Sequence, residues 1–210
     1  MLNKYQNEGL LFIVSAPSGA GKTSLIRELV KANNEIILSI SHTTRKSRKK
    51  ERDGIDYNFV SENQFRQMEI DKEFLETAVV FGNKYGTSKR AIEKAINMGK
   101  SVILDIDWQG ARELQKSNFK SVSIFILPPS IKALNGRLLN RGDDPLEIQA
   151  RMKKAITEIS HYHEYDYVIT NEIFETSLRA IEAIIMGSFY CLNLREKQFN
   201  QLVQEIIENQ

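Results

Sequence analysis

The chain is nearly without cysteine. Cys191 stands alone among 210 residues, so no intramolecular disulfide braces the fold and a reducing compartment is expected. Long apolar runs are missing too. Stretches such as Leu10 to Val14 fall far short of the roughly 20 residues that a bilayer-spanning helix needs, and no basic start leads into an apolar segment ending in small residues. A soluble, cytoplasmic protein with no membrane partner is expected. Net charge is almost absent: 29 Lys and Arg against 27 Asp and Glu leave +2, too little to argue for a nucleic-acid partner in bulk. What remains is one domain of ordinary size, or one core with small inserted lobes, and 41% hydrophobic residues to fill it.

The apolar segments organise the chain. Leu10 to Ser15 predicts a buried strand, and Lys22 to Ala32 has helical spacing, with Leu25, Ile26, Leu29 and Val30 on one side. Further apolar runs follow at Glu35 to Ile40, Ser101 to Ile106, Ser121 to Leu127 and Tyr165 to Thr170, mostly separated by helical patterns. This alternation predicts an α/β protein with a parallel sheet covered by helices on both faces. Residues 41–90 break it, with strands expected at Asp56 to Val60 and Phe74 to Phe81 around a short helix capped by Ser61. They read as an inserted lobe. Residues 130–164 are mostly helical, with a break at Arg141-Gly142-Asp143-Asp144-Pro145, and read as a hinged lid. The core then comprises residues 1–40, 91–129 and 165–210. The tail from Phe174 is helical without repeat or compositional bias, and Phe189 and Tyr190 are expected to pack into the core.

One further absence is local. Residues 15–24 read SAPSGAGKTS, which fits the phosphate-loop pattern G-x-x-x-x-G-K-[ST] except that Ala16 takes the place of the first glycine. That position needs mainly a small side chain, whereas Gly19 and Gly21 supply backbone freedom nearer the phosphates. Such a loop converges backbone N–H groups on oxyanions at a helix N-terminus, with lysine as a point charge and the hydroxyl as a magnesium ligand. Ala16, Pro17, Ser18, Gly19, Ala20, Gly21, Lys22 and Thr23 are therefore the expected ATP-binding residues. A metal-binding carboxylate belongs at the end of a neighbouring strand. In VILDID, alternation would point Asp105 and Asp107 the same way, and Thr23 with Asp105 is the expected Mg2+ pair, directly or through water. Asp107 could instead simply cap the following helix.

Charge does cluster once, in RKSRKKER at 45–52. By composition this is a nucleic-acid patch, a solvated loop or a receptor for a second phosphorylated molecule. Its surroundings resemble those of the bacterial guanylate kinases. The resemblance rests on SAPSGAGKTS, SHTTR followed by Arg48 and DYNFVS, FLETAVVFGNKYGTS, ILDIDWQG, LPPS and SHYHEYDYVITN in that order, and covers about residues 9–188. It implies a P-loop nucleoside monophosphate kinase fold with a GMP-binding lobe and a helical lid, ATP and GMP as substrates, Mg2+ as cofactor and no nucleic-acid partner. A homo-oligomer stays open.

The resemblance also implies roles. Arg45, Arg48, Tyr57 and Tyr85 match residues that hold the GMP phosphate, and Ser41, Glu76, Thr87 and Asp107 match those around the guanine. One carboxylate such as Glu76 can accept guanine N1–H and the exocyclic NH2 together, while Thr87 can donate to O6. Adenine would leave that carboxylate unpaired, a mismatch that discriminates by roughly 10⁴-fold. The chain departs from the family's TR-x-PR-x-GE-x-x-G, with Ser47 for the proline and Lys50 for the glycine. Glu51 and Gly54 remain, so the expected consequence is a less rigid turn.

In GRLLNR, Arg137 and Arg141 are four apart and would share a helix face. With Arg151 on the next helix they are expected to close over ATP, and with Lys22 and Asp105 they form the expected catalytic set. His161 and His163, two apart, lack the spacing of a helical metal site and are expected to be structural; His42 should be scaffold beside Ser41. The implied reaction moves the γ-phosphoryl group of ATP to GMP. Its rivals are a catalytically inactive guanylate-kinase-like binding module, against which Gly21-Lys22-Thr23 and Asp105 argue, and a kinase for another nucleoside monophosphate, against which Glu76 and Thr87 argue.

Overall fold

The computed structural model describes residues 8–49, 51–80, 82–117, 119–139 and 145–208. Its main sheet has five strands, in the order β2 (Ile36–Leu38), β7 (Ser101–Asp105), β1 (Leu11–Ser15), β8 (Ser121–Leu127) and β9 (Tyr167–Thr170). Every pairing is parallel. All five β1 residues are buried because both faces are covered. Phe12 and Val14 pack with Leu25, Ile26 and Leu29 of α1 (Lys22–Ala32) and with Ile181 and Ile185 of α7 (Phe174–Ser188). Leu11 and Ile13 face Ile92 and Ala95 of α3 (Lys89–Asn97) and Leu114 of α4 (Trp108–Gln115). An uninterrupted apolar run is the signature of such a strand. The carboxyl ends of β1 and β7 lie side by side, at Val14 and Asp105, where ligands of open parallel sheets gather.

The inserted lobe is a second sheet, ordered β4 (Asn58–Phe59), β3 (His42–Thr43), β6 (Asn83–Ser88) and β5 (Phe74–Val80). Between β4 and β5, α2 (Glu62–Ile70) starts at Ser61 with a full capping box, in which Ser61 and Gln64 satisfy each other's backbone N–H groups. Phe65 of α2 is fully buried and stacks on Phe74 at 4.5 Å, giving the lobe a small core of its own. The expected strand at Asp56 to Val60 shrinks to two residues, and β6, which had no strand signal, pairs with β5 along its length.

The lid consists of α5 (Ile131–Leu139) and α6 (Pro145–Ile159). Pro145 occupies the first position of α6, where its missing N–H costs nothing; Gly142 and Arg141 lie outside the described residues. At the tail, α7 and α8 (Leu192–Glu208) are separate helices. Phe189 between them is buried, but Tyr190 is 66% exposed, a correction to the expected packing. The chain turns there, with the Tyr190 N–H donating to Gly187 O, and only one of two adjacent aromatic rings can point inward. Arg195, at a kink in α8, is buried against the Phe189 ring and donates to Glu8 O at 2.7 Å. Among the described residues, no helix is long and apolar enough to cross a membrane.

Candidate active site

Gly19 and Gly21 adopt φ of 93° and 98°, while Ala16 keeps an ordinary negative angle, so the missing first glycine costs no backbone strain. At Gly21 a Cβ would also fall 2.4 Å from Asn171 Nδ2. That amide and Arg137 fasten the loop from behind: Asn171 Nδ2 and Arg137 Nη1 both donate to Ala20 O, at 2.7 and 3.0 Å, and Arg137 Nη2 donates to Asn171 O at 2.9 Å. No side chain caps the start of α1, so its first N–H groups point outward as donors for an anion.

Lys22 Nζ pairs with Asp105 Oδ1 at 2.6 Å and donates to Ile106 O at 3.3 Å. Asp105 ends β7. Asp107 does not continue that strand, as alternation had predicted, but is the N-cap of α4 and accepts from the Gln109 and Gly110 N–H groups at 3.0 and 3.2 Å. Asp105 is the last β7 residue paired with β1, opposite Val14, and two residues later Asp107 starts the helix. Both carboxylates still border one cleft of about 320 Å³.

That cleft runs from the phosphate loop to the lobe. Its walls include Lys22 and Thr23 at one end and Ser41, Tyr57, Glu76 and Tyr85 at the other. Glu76 is 2% exposed and accepts from Thr87 Oγ1 at 2.6 Å. Its other oxygen lies over Gly110, where a Cβ would come within 2.3 Å. Burial pushes the Glu76 carboxyl up to about 7, against the pull of Thr87 and helped by the negative charges of Glu113 and Asp107. A carboxylate is poorly solvated there and is suited to a ligand carrying N–H donors.

Arg45 donates to Tyr85 Oη at 3.1 Å and pairs with Glu51 at 2.9 Å, and its guanidinium lies 5.3 Å from the Tyr57 ring centre. The Glu51 hydrogen bond holds the Arg45 guanidinium firmly protonated and lowers the Glu51 carboxyl. Glu51 also accepts from Arg48 N–H at 2.8 Å, and its own N–H donates to Arg48 O. This one carboxylate therefore braces the turn that Ser47 leaves without its proline; Lys50 lies outside the described residues. The Arg48 side chain is exposed, as are Lys46 and Lys49, so the basic run divides into one half-buried anchor, Arg45, and a solvated edge.

From the lid, Arg151 lines the cleft, and so do Lys154 and Glu158, which sequence reasoning missed. Glu158 Oε2 accepts from Ser18 N–H of the loop at 3.3 Å, and Oε1 lies 3.5 Å from Lys154 Nζ. Arg137 is not on the cleft wall, and Arg141, its expected partner, lies outside the described residues. Of the histidines, His161 stacks on Trp108 at 3.8 Å and contacts Arg112 and Glu164. This ties the end of the lid to α4. Among the described residues no histidine, cysteine or acidic cluster could hold a metal by itself.

The guanylate kinase family profile matches residues 8–188. The chain belongs to the guanylate kinase family. Among relatives, the guanylate kinase of Pasteurella multocida is 48% identical, with 95% of this chain and 98% of that one covered. That of Pseudoalteromonas translucida is 47% identical, covering 97% and 99%. A crystal structure of guanylate kinase from Anaplasma phagocytophilum superposes with a TM-score of 0.70 at 37% identity, over 86% of each chain. The three-part layout of sheet, lobe and lid is thus the nucleoside monophosphate kinase fold of the family.

Proposed function

We infer that the two-ended cleft transfers the γ-phosphoryl group of ATP to GMP, giving ADP and GDP. Family membership supports the activity; the single observation that carries the residue assignment is Glu76, buried, bonded to Thr87 and facing the same cleft as the phosphate loop. In this reading Glu76 accepts guanine N1–H and the 2-amino group, with Ser41, Thr87 and Asp107 around the ring. Arg45, Arg48, Tyr57 and Tyr85 hold the GMP phosphate. The phosphate loop, residues 16–23, takes the phosphates of ATP.

A GMP phosphate oxygen attacks the γ-phosphorus and ADP leaves with the bond electrons. The nucleophile is already ionised, so no general base is required, and rate enhancement comes from positioning and charge neutralisation. Lys22 supplies a point charge held in place by Asp105 and Ile106 O, and Arg151 another from the lid. Arg137 acts by fixing Ala20 and Asn171 behind the loop. The Thr23 hydroxyl and Asp105 carboxylate are hard oxygen donors on one wall and fit Mg2+, which when bound neutralises charge on the phosphate oxygens. Lid closure excludes water that would otherwise compete as acceptor. A cytoplasmic site of action belongs to the same reading.

The test is turnover with Glu76→Gln. It should raise KM for GMP far more than KM for ATP; equal effects on the two nucleotides would overturn the guanine assignment.

A further inference from the structure

Arg151, Lys154 and Glu158 recur at i, i+3 and i+7 along α6 and so occupy one helix face. All three line the cleft. Glu158 is 8% exposed, yet its carboxylate joins two elements that the sequence separates by 140 residues. One oxygen takes the Ser18 N–H of the phosphate loop and the other faces the Lys154 ammonium. A single carboxylate therefore separates Lys154 Nζ from a loop N–H. Burial raises the Glu158 carboxyl above the usual range, and the positive charges of Lys154 and Lys22 pull it back down.

A buried carboxylate is costly unless paired and hydrogen-bonded, and here both conditions are met by groups belonging to the phosphate site. The arrangement does two things at once. It docks the lid helix onto the loop, and it fixes a flexible lysine stem on the cleft wall beside the phosphate loop. An ammonium carries three donors, so pairing with Glu158 is compatible with binding a phosphoryl oxygen as well.

We propose that Lys154 is a further phosphoryl-binding cation, specific for the γ-phosphoryl of the donor nucleotide, and that Glu158 is the residue positioning it through Ser18 N–H. The proposal rests on the reading of the cleft as the ATP site. A cation aimed at the γ-phosphoryl group must distinguish ATP from ADP, whereas a lid residue with a purely structural role would not.

The experiment is calorimetric binding of ATP and of ADP, each with Mg2+, to full-length wild type, Lys154→Met and Lys154→Arg, with kcat measured on the same samples. Lys154→Met should weaken ATP binding about tenfold and ADP binding less than about twofold, as expected for one charge-assisted hydrogen bond. Its kcat should fall by a similar factor, and Lys154→Arg should recover most of both. Glu158→Gln retains an acceptor for Ser18 N–H but loses the charge, so it should lower kcat without lowering the melting temperature. Equal loss of ATP and ADP affinity in Lys154→Met, or no loss of either, would overturn the proposal. If wild type failed to phosphorylate GMP while the ATP-to-ADP ratio still shifted in Lys154→Met, the acceptor assignment would fall and the role of Lys154 would stand.

Discussion

The raised pKa of Glu76 makes GMP affinity depend on pH in a calculable way. Guanine offers N–H donors, so it binds the ionised carboxylate and is rejected by the protonated one. With the carboxyl at about 7 in the protein, pH 6 leaves roughly one protein in ten ionised, and affinity falls about tenfold below its high-pH plateau, or about 1.4 kcal/mol. At pH 5 the loss is about a hundredfold. The GMP phosphate has its own second ionisation near pH 6, which acts in the same direction; Glu76→Gln carries that contribution alone and serves as baseline. Calorimetric titration of GMP between pH 5 and 8.5 should give curves for wild type and Glu76→Gln that diverge below pH 7 and run level above pH 8. Parallel curves would refute the reasoning. The same shift acts on folding with the opposite preference. An acid with a native pKa above its unfolded value stabilises the fold only while protonated, so stability falls as pH rises from 4.5 to about 7, by roughly 3 kcal/mol in total. Urea unfolding of Glu76→Gln without nucleotide should lack that slope.

Other perturbations follow from the same geometry. Lys22→Ala removes the charge held by Asp105 and should lower kcat by roughly 10²-fold or more with an unchanged melting temperature; near-normal turnover would remove the loop from the mechanism. Gly110→Ala places a Cβ 2.3 Å from Glu76 Oε2, and overpacking of about 1 to 3 kcal/mol should displace that carboxylate, raising KM for GMP about tenfold or more with KM for ATP little changed. Chelating divalent ions should abolish ADP release, and Asp105→Asn should raise the magnesium concentration at which activity is half-restored.

The central sheet was legible because its strands are buried on both faces and leave apolar runs. Ser121–Leu127 and the helix Lys22–Ala32 occur where their patterns place them, and the Ser61 cap formed with its box. β6 was not legible. NKYGTS has no apolar alternation, since its buried positions carry Gly86, against which the Phe74 ring packs, and Thr87, which bonds Glu76. Strand periodicity was extended to Asp107, two residues past the end of β7 at Asp105; Asp107 is the helix cap that the sequence offered as its alternative, and from there it still lines the cleft.

The lid residues Lys154 and Glu158 carried a signal that went unread, namely an i, i+4 ion pair in register with Arg151. Only the fold reveals that this face meets the phosphate loop. Likewise, nothing local to Arg137 shows that its partners are the carbonyls of Ala20 and Asn171, 117 and 34 residues away. Glu76 and Thr87 were readable as a pair only through resemblance; the structure supplies the physical reason, cross-strand pairing that brings a hydroxyl and a carboxylate within 2.6 Å in a buried pocket.

The most direct test of the central claim is a coupled assay of ADP release with ATP and Mg2+, offering GMP, AMP, UMP and CMP in parallel beside a control without acceptor. The account predicts rapid release with GMP and little above the control with the other three. Comparable rates with AMP, or no release with GMP from demonstrably folded protein, would contradict it.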